Sequence, residues 1–204
     1  MTDREKIHTG QIYFSMGDEL MTEQLAYLDK MDEYNATPRI RYREREKMLS
    51  GMFAEVGEGC YIESPFYANW GGRHVHLGKG VYANFGVTFV DDTHIYIGDY
   101  TMLGPNVVIA TAGHPIDPDL RRKALQYNLS VHIGKNCWLG AGVIVMLGVT
   151  IGDNTVIGAG SIVTRDIPSG VVAVGNPCRV LREIGEHDRE YYWRDRKIDP
   201  EWLA

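Results

Sequence analysis

Cysteine is scarce in these 204 residues: Cys60, Cys137 and Cys178 are the only three, and none forms a CxxC pair. An odd, widely spaced set suits neither a disulfide framework nor a structural zinc cage, so each reads as a buried thiol. Also missing is any apolar run near the roughly eighteen residues of a membrane span, and the charged N-terminal stretch holds no signal-peptide core. The expectation is a soluble, cytoplasmic chain with no membrane partner. Basic charge is short as well. The 21 Lys and Arg against 27 Asp and Glu leave a formal charge of -6, which removes whole-chain attraction to nucleic acid or to an acidic lipid surface. A chain of this length buries a real core as one domain with small appendages.

Glycine, by contrast, is plentiful at 23 residues, and it falls in register. In TIGDNTVIGAGSIVTRDIP, Ile151, Ile157 and Val163 stand six apart, and glycine follows the first two. Stepping backward, the register runs through Val145, Leu139 and Ile133, then across a break to Ile109, Leu103 and Ile97. The second place of most hexads is glycine, as at Gly78, Gly98, Gly104, Gly134, Gly140, Gly152 and Gly158. The fourth is Gly80, Asn106, Asn136, Gly142, Gly148, Asn154 or Gly160, residues that tolerate positive φ and suit a sharp corner. The fifth is compact or β-branched.

A helix repeats near 3.6 residues and a simple strand near 2, so a period of six marks neither. It marks a solenoid of short strands, a parallel β-helix whose three sides make coils of eighteen residues. The coils fall at 77–94, 97–114, 133–150 and 151–168, after an imperfect one that begins near Val56 and Ile62. Separate strands in a sandwich would instead show irregular turn spacing. Residues 1–55 read as a helical segment: DELMTEQLAYLDKMDEYN has helical apolar spacing, and Pro38 is expected to open a second, charged amphipathic helix. The solenoid spans 56–185, and 186–204 form a charged, aromatic-rich tail that packs on a coil or on a neighbouring subunit.

Between Ile109 and Ile133 the register breaks, and residues 111–131 read as an irregular loop thrown out of the coil. A long insertion in an otherwise regular solenoid points to function. His114 sits at its root, where an imidazole of ordinary pKa about 6.5 accepts protons near neutral pH. A surface histidine capping a turn is the plainer reading of that residue taken alone.

MTDREKIHTGQIY, YANFGVTFVDD, IGDYTMLGPNVVIATAGHP, IGKNCWLGAGVIVMLGVTIGDNTVIGAGSIVTRDIP and VVAVGNPCRVLREI follow one another in order across nearly the whole chain. Together they resemble the hexapeptide-repeat acyltransferases, specifically the galactoside and maltose O-acetyltransferase group. The resemblance implies a left-handed parallel β-helix, a homotrimer, acetyl-CoA as co-substrate, a sugar or glycoside as acceptor, and no metal. His114 of the GHP motif matches the general base. Asn84 matches an asparagine at the reacting centre, although a coil corner explains it too. Asp92 matches a carboxylate that accepts from acceptor hydroxyls, while Asp91 beside it reads as a solvated neighbour. Asn69 falls near another acceptor contact, in a stretch one residue longer than the family pattern. Ser15 stands where relatives often carry aspartate, and Ser15, Asn69 and Gln126 lie where acceptor selectivity would be set. On the CoA side, Ala141 and Ala159 match corners that meet the pantetheine arm. Thr164, Arg165, Arg179 and Arg182 match contacts to the adenine and phosphate end. Trp138 matches a wall of the reacting region.

Other readings keep the solenoid. His76 and His94 are one coil apart and His114 follows, which raises a zinc site like that of γ-type carbonic anhydrases. An antibiotic acetyltransferase is a further enzyme reading, and a partner-binding module without catalysis is the non-enzymatic one.

Overall fold

The computed structural model describes residues 1–203, and the six-residue period is its organising feature. Each hexad contributes a short strand, and strands eighteen or so residues apart pair in parallel to make three long faces. The first face stacks Glu55–Val56, Val75–Leu77, Ile95–Ile97, Val131–Ile133 and Thr150–Ile151. The second stacks Tyr61–Ile62, Tyr82–Ala83, Met102–Leu103, Trp138–Leu139, Val156–Ile157 and Val171–Val174. The third stacks Tyr67–Ala68, Thr88–Val90, Val108–Ala110, Ile144–Val145 and Ile162–Val163.

Register is what fills the interior. Leu77 pairs with Ile97, Ile97 with Ile133 and Ile133 with Ile151, while Phe89 lies on Ile109 and Ile109 on Val145. Every one of these side chains is buried. No single coil encloses its own aliphatics, so burial of this column is shared between neighbours and is lost if one slips.

Corners obey the register too. All seven fourth-place residues anticipated for corners have positive φ, from 52° at Asn136 to 76° at Gly148. Tyr100 occupies the same place with φ 59°, a left-handed conformation disfavoured for a bulky side chain.

The open end of the solenoid is closed by N-terminal helices. After α1 (Asp3–Lys6) come α2 (Asp18–Ala36) and α3 (Tyr42–Met52). The Tyr34 hydroxyl donates to Ile62 O, and Asn35 both donates to Phe66 O and accepts from Phe66 N, replacing the strand neighbour that a first coil lacks. Pro38 does not open α3. It begins a turn that Arg41 N closes on Pro38 O at 2.9 Å, because the chain must reverse direction before the second helix can start at Tyr42. The turn sends Arg45 inward. Its guanidinium is buried, stacks 4.0 Å from the Tyr34 ring, and donates to Tyr34 O, Thr37 O, Ser64 Oγ and Ile62 O.

The interruption is also more ordered than an irregular loop. Residues Ala112–Gly113 and Leu125–Asn128 form antiparallel strands on either side of α4 (Pro118–Arg121), and Tyr13–Phe14 from the N-terminus adds a third strand. Alternation in LQYN explains this, since Gln126 and Asn128 turn inward while Leu125 and Tyr127 are only partly covered. At the C-terminus, Arg179–Glu183 folds back antiparallel on Val171–Val174, followed by α5 (Glu186–Glu190) and a small hairpin. Among the described residues, no helix is long and apolar enough to cross a membrane.

Removing Arg45 strands several buried carbonyls at once. Arg45→Ala is expected to lower the unfolding free energy by about 2–4 kcal/mol in urea melts, whereas the exposed Arg43→Ala changes it by less than about 0.5 kcal/mol.

Candidate active site

Two edges of the prism carry the residues that sequence reasoning singled out. The first is the edge between the third and first faces, where the corners are longest. Asn69–His74 and Asp91–His94 form its first two corners, and the antiparallel insertion is the third. Here Ser15, Asn69, Asp92 and Gln126 line one cavity of about 160 Å³, together with Tyr13, Met16, Leu20, Gln24 and Trp70. Gln126 Nε2 donates to Asp92 Oδ1 at 2.9 Å and Asn69 Nδ2 donates to Asp92 Oδ2 at 2.9 Å, so the carboxylate orients both amides. Ser15 Oγ donates to Ala124 O, tying the N-terminal strand to the insertion.

His114 lies on the same edge, exposed at the mouth of the insertion. Its Nδ1 is 2.8 Å from Leu125 O, one residue before Gln126. A carbonyl only accepts, so the neutral ring carries its proton on Nδ1 and presents an unprotonated Nε2 outward. Further along this edge come Thr164 and Arg165, both exposed, two coils beyond His114.

The second edge lies between the second and third faces and carries Asn84, Ala141 and Ala159. Asn84 Oδ1 accepts from Phe85 N at 2.8 Å, and its Nδ2 has no hydrogen-bond partner among the described residues. Beside the two alanines, Gly142 and Gly160 turn with φ 67° and 70°, and a Cβ on either would meet nothing within 4 Å. That edge is therefore an open, small-residue rail. Trp138 stands on the outer surface of the second face at 57% exposure, paired in register with Met102 and Val156. The width of the third face separates this edge from His114. Four or so extended residues at about 3.3 Å each exceed the reach of an amide to an imidazole, so one chain does not join Asn84 to His114.

Residues 6–57 match the family described as the maltose acetyltransferase hexapeptide capping motif, and residues 130–165 match the hexapeptide repeat of succinyl-transferase. A galactoside O-acetyltransferase of Lactococcus lactis is 50% identical over 195 residues, covering 96% of this chain and 94% of that protein. The chain belongs to the hexapeptide-repeat acetyltransferases of the galactoside and maltose O-acetyltransferase group. Among solved structures, a galactoside acetyltransferase in complex with coenzyme A overlays with a TM-score of 0.94 at 43% identity, covering 98% of this chain and 99% of the other. A maltose O-acetyltransferase of Clostridium difficile gives 0.88 at 44% identity, covering 91% and 99%.

One charged residue of this acetyltransferase departs from the sequence reading, and another has an internal partner. Asp91, expected to be solvated, is completely buried, with its carboxylate accepting from Trp70 N at 2.7 Å and Gly72 N at 3.1 Å. It knits the lengthened first corner to the second, because the turn at Gly71 and Gly72, both with positive φ, leaves the N–H groups of Trp70 and Gly72 pointing inward. Burial pushes its pKa up to about 7 against the pull of those N–H donors. Arg182, matched to a phosphate contact, holds the Asp188 carboxylate in a bidentate pair at 2.7 Å, so its donors are partly committed. Arg179 donates to Cys178 O and has no carboxylate partner among the described residues.

Histidines of this acetyltransferase gather without forming a metal site. His76 Nε2 and His94 Nδ1 are hydrogen-bonded to each other at 3.0 Å, while His114 Nδ1 is turned to Leu125 O. No group of three His, Cys, Asp or Glu among the described residues is arranged to hold a metal ion. Instead, His8 and His74 pack on His94, with ring centroids 4.6 Å and 5.7 Å from it. Burial, then His8, His76 and Arg73, hold His94 down at about 4; burial, then His8, His94 and Arg73, hold His74 at about 4 against the upward pull of its hydrogen bond to Asp91 O.

The native chain thus binds fewer protons than the unfolded chain between pH 6.5 and about 4, and stability present above 6.5 is lost as pH falls through that window. Asp91, raised from 3.8 to about 7, acts in the opposite sense and offsets part of the loss. Thermal melts are expected to show a Tm that declines steadily below pH 6.5, and a shallower decline for His94→Asn.

Proposed function

We propose that this chain transfers an acetyl group from acetyl-CoA to a hydroxyl of a sugar or glycoside by direct attack, with His114 as general base. The observation that carries this reading is the 2.8 Å contact of His114 Nδ1 with Leu125 O, which leaves Nε2 of the neutral ring free to accept, one residue from the Gln126 that lines a hydrogen-bonding pocket of about 160 Å³. Names of the relatives, galactoside and maltose O-acetyltransferases, support the same acceptor class.

His114 Nε2 takes the proton of the acceptor hydroxyl as that oxygen forms its bond to the thioester carbonyl carbon. Asn84 Nδ2 is the free donor suited to the tetrahedral oxyanion. When the carbon–sulfur bond breaks, His114 returns the proton to the departing sulfur, so no acyl-enzyme forms and the imidazole is restored. General-base assistance of this kind is typically worth about 10² to 10⁴ in rate, and the balance comes from positioning and oxyanion stabilisation.

Acetyl-CoA is a co-substrate, and the residues available fit its shape. The small-residue rail at Ala141, Gly142, Ala159 and Gly160 admits the pantetheine arm. Arg165 and Arg179 offer exposed guanidinium groups to phosphate, whose planar donor fork suits that group. Arg182 and Thr164 complete that end.

Because His114 and Asn84 stand on different edges, the working site is read as shared between subunits of a homotrimer. His114 and the acceptor pocket of one subunit face Asn84, Ala141 and Ala159 of the next. Tyr82, Met102 and Trp138, in one row on the second face, supply apolar surface for that contact.

His114→Ala is expected to cut kcat by about 10² to 10⁴ in a CoA-release assay while leaving the KM for acetyl-CoA and the Tm nearly unchanged. Full activity in that variant would defeat the mechanism. Sharing has its own signature: co-refolding equal amounts of inactive His114→Ala and Asn84→Ala chains should regain about a quarter of wild-type turnover, the random share of intact interfaces. Persistently inactive mixtures of trimeric protein would place both groups in one subunit.

A further inference from the structure

The floor of the acceptor pocket has hydrogen-bonding capacity left over after every internal partner is counted. Tyr13 OH accepts from Gln126 Nε2 at 2.6 Å and from Asn128 Nδ2 at 3.0 Å. Both amide orientations are forced. Gln126 Nε2 faces the Asp92 carboxylate, and Asn128 Nδ2 faces Ile7 O, and each of these partners only accepts. Both neighbours of the phenolic oxygen are N–H donors that cannot accept, so its own proton has no protein acceptor among the described residues. Burial pushes the Tyr13 pKa up to about 12, so that proton is present at any working pH.

Gln126 supplies the complementary vacancy. Its two N–H groups are shared among Tyr13 OH, Asp92 Oδ1 and Asn128 Oδ1, while Oε1 takes no hydrogen bond among the described residues and is not sealed from the pocket that Gln126 lines. Tyr13 OH and Gln126 Oε1 belong to groups 2.6 Å apart at the nitrogen. The free donor and free acceptor thus lie within about 5 Å, a span that one hydroxyl bridges with two bonds of about 2.8 Å. Met16, Leu20 and Trp70 make the apolar part of the lining. A saturated ring with hydroxyls on one edge and C–H groups on a face matches both surfaces, whereas an anionic ring would meet Asp92.

We propose that Tyr13 is an acceptor-binding residue that, with Gln126 Oε1, reads a second ring hydroxyl of the acceptor, distinct from the one that is acetylated, and so selects neutral polyhydroxylated rings. This rests on the acceptor-site reading given under Proposed function and adds to it a residue and a selection rule. Asp92 and Asn128 act as positioning residues, since they hold the Gln126 amide with its oxygen outward.

The test pairs protein and ligand deletions. Wild type and Tyr13→Phe are compared on methyl galactoside, methyl glucoside and their monodeoxy analogues, by CoA release and, without acetyl-CoA, by ligand-observed NMR binding. Tyr13→Phe is expected to raise KM and Kd for the parent glycoside by about 3- to 10-fold, the equivalent of one neutral hydrogen bond. The KM for acetyl-CoA stays unchanged. For one deoxy analogue the ratio between the two proteins should collapse to near one, which a merely structural effect of the substitution would not produce. A uniform loss across all analogues, or no loss, overturns the role of Tyr13. Turnover with that uniform pattern leaves the acetyl-transfer reading standing. Binding that follows the selective pattern in a chain that releases no CoA overturns acetyl transfer and leaves Tyr13 its role. Neither binding nor turnover with any of these glycosides overturns both.

Discussion

Parallel pairing between successive coils is the constraint on which the molecule depends. Every parallel strand but the last is only two or three residues long, too short to persist alone, and gains its partners from neighbouring coils. The aliphatic side chains inside are then stacked on near copies of themselves, Leu77 on Ile97 on Ile133 on Ile151. This geometry leaves little freedom in the faces. Variation that does not break the column is confined to corners, ends and insertions, and those are where most of the candidate site residues sit.

Lengthening one edge turns a repetitive scaffold into a site. Extra residues at Asn69–His74 leave inward-pointing N–H groups, which the buried Asp91 carboxylate of the next corner satisfies. Next to it Asp92 faces outward into the pocket, where it fixes Asn69 and Gln126. Two adjacent aspartates thus divide the work: one holds corner to corner, the other arranges the amides that line the pocket. The insertion completes the edge, since its returning strand carries both Leu125, whose carbonyl sets the His114 tautomer, and Gln126.

The N-terminal segment joins the solenoid to its pocket. Tyr13 and Ser15 reach the cavity because Tyr13–Phe14 pairs with Leu125–Gln126, more than a hundred positions away in sequence. His8 packs against His74 and His94 a short distance upstream, so the same segment also carries part of the acid sensitivity of the fold. Helices α2 and α3 close the first coil with side-chain groups of Tyr34, Asn35 and Arg45, which stand in for a missing strand.

Much of this was legible in the residues. A six-residue period, glycine after the aliphatic, and Gly or Asn at the corners describe the faces because each place has a local requirement: burial, close approach or positive φ. His114, Ser15, Asn69, Asp92 and Gln126 could be singled out through family motifs and a break in the register. Asp91, Arg45 and Tyr13 could not. An aspartate beside another aspartate, an arginine in YREREK and a tyrosine in an N-terminal strand look solvated or merely apolar until distant backbone groups are placed around them. The sequence by itself determined the repeating coil, since its period is a property of neighbours along the chain. Only the tertiary structure decided which polar groups share a pocket and which edge each one occupies, because hydrogen-bond partners far apart in sequence become neighbours only when the coils have stacked.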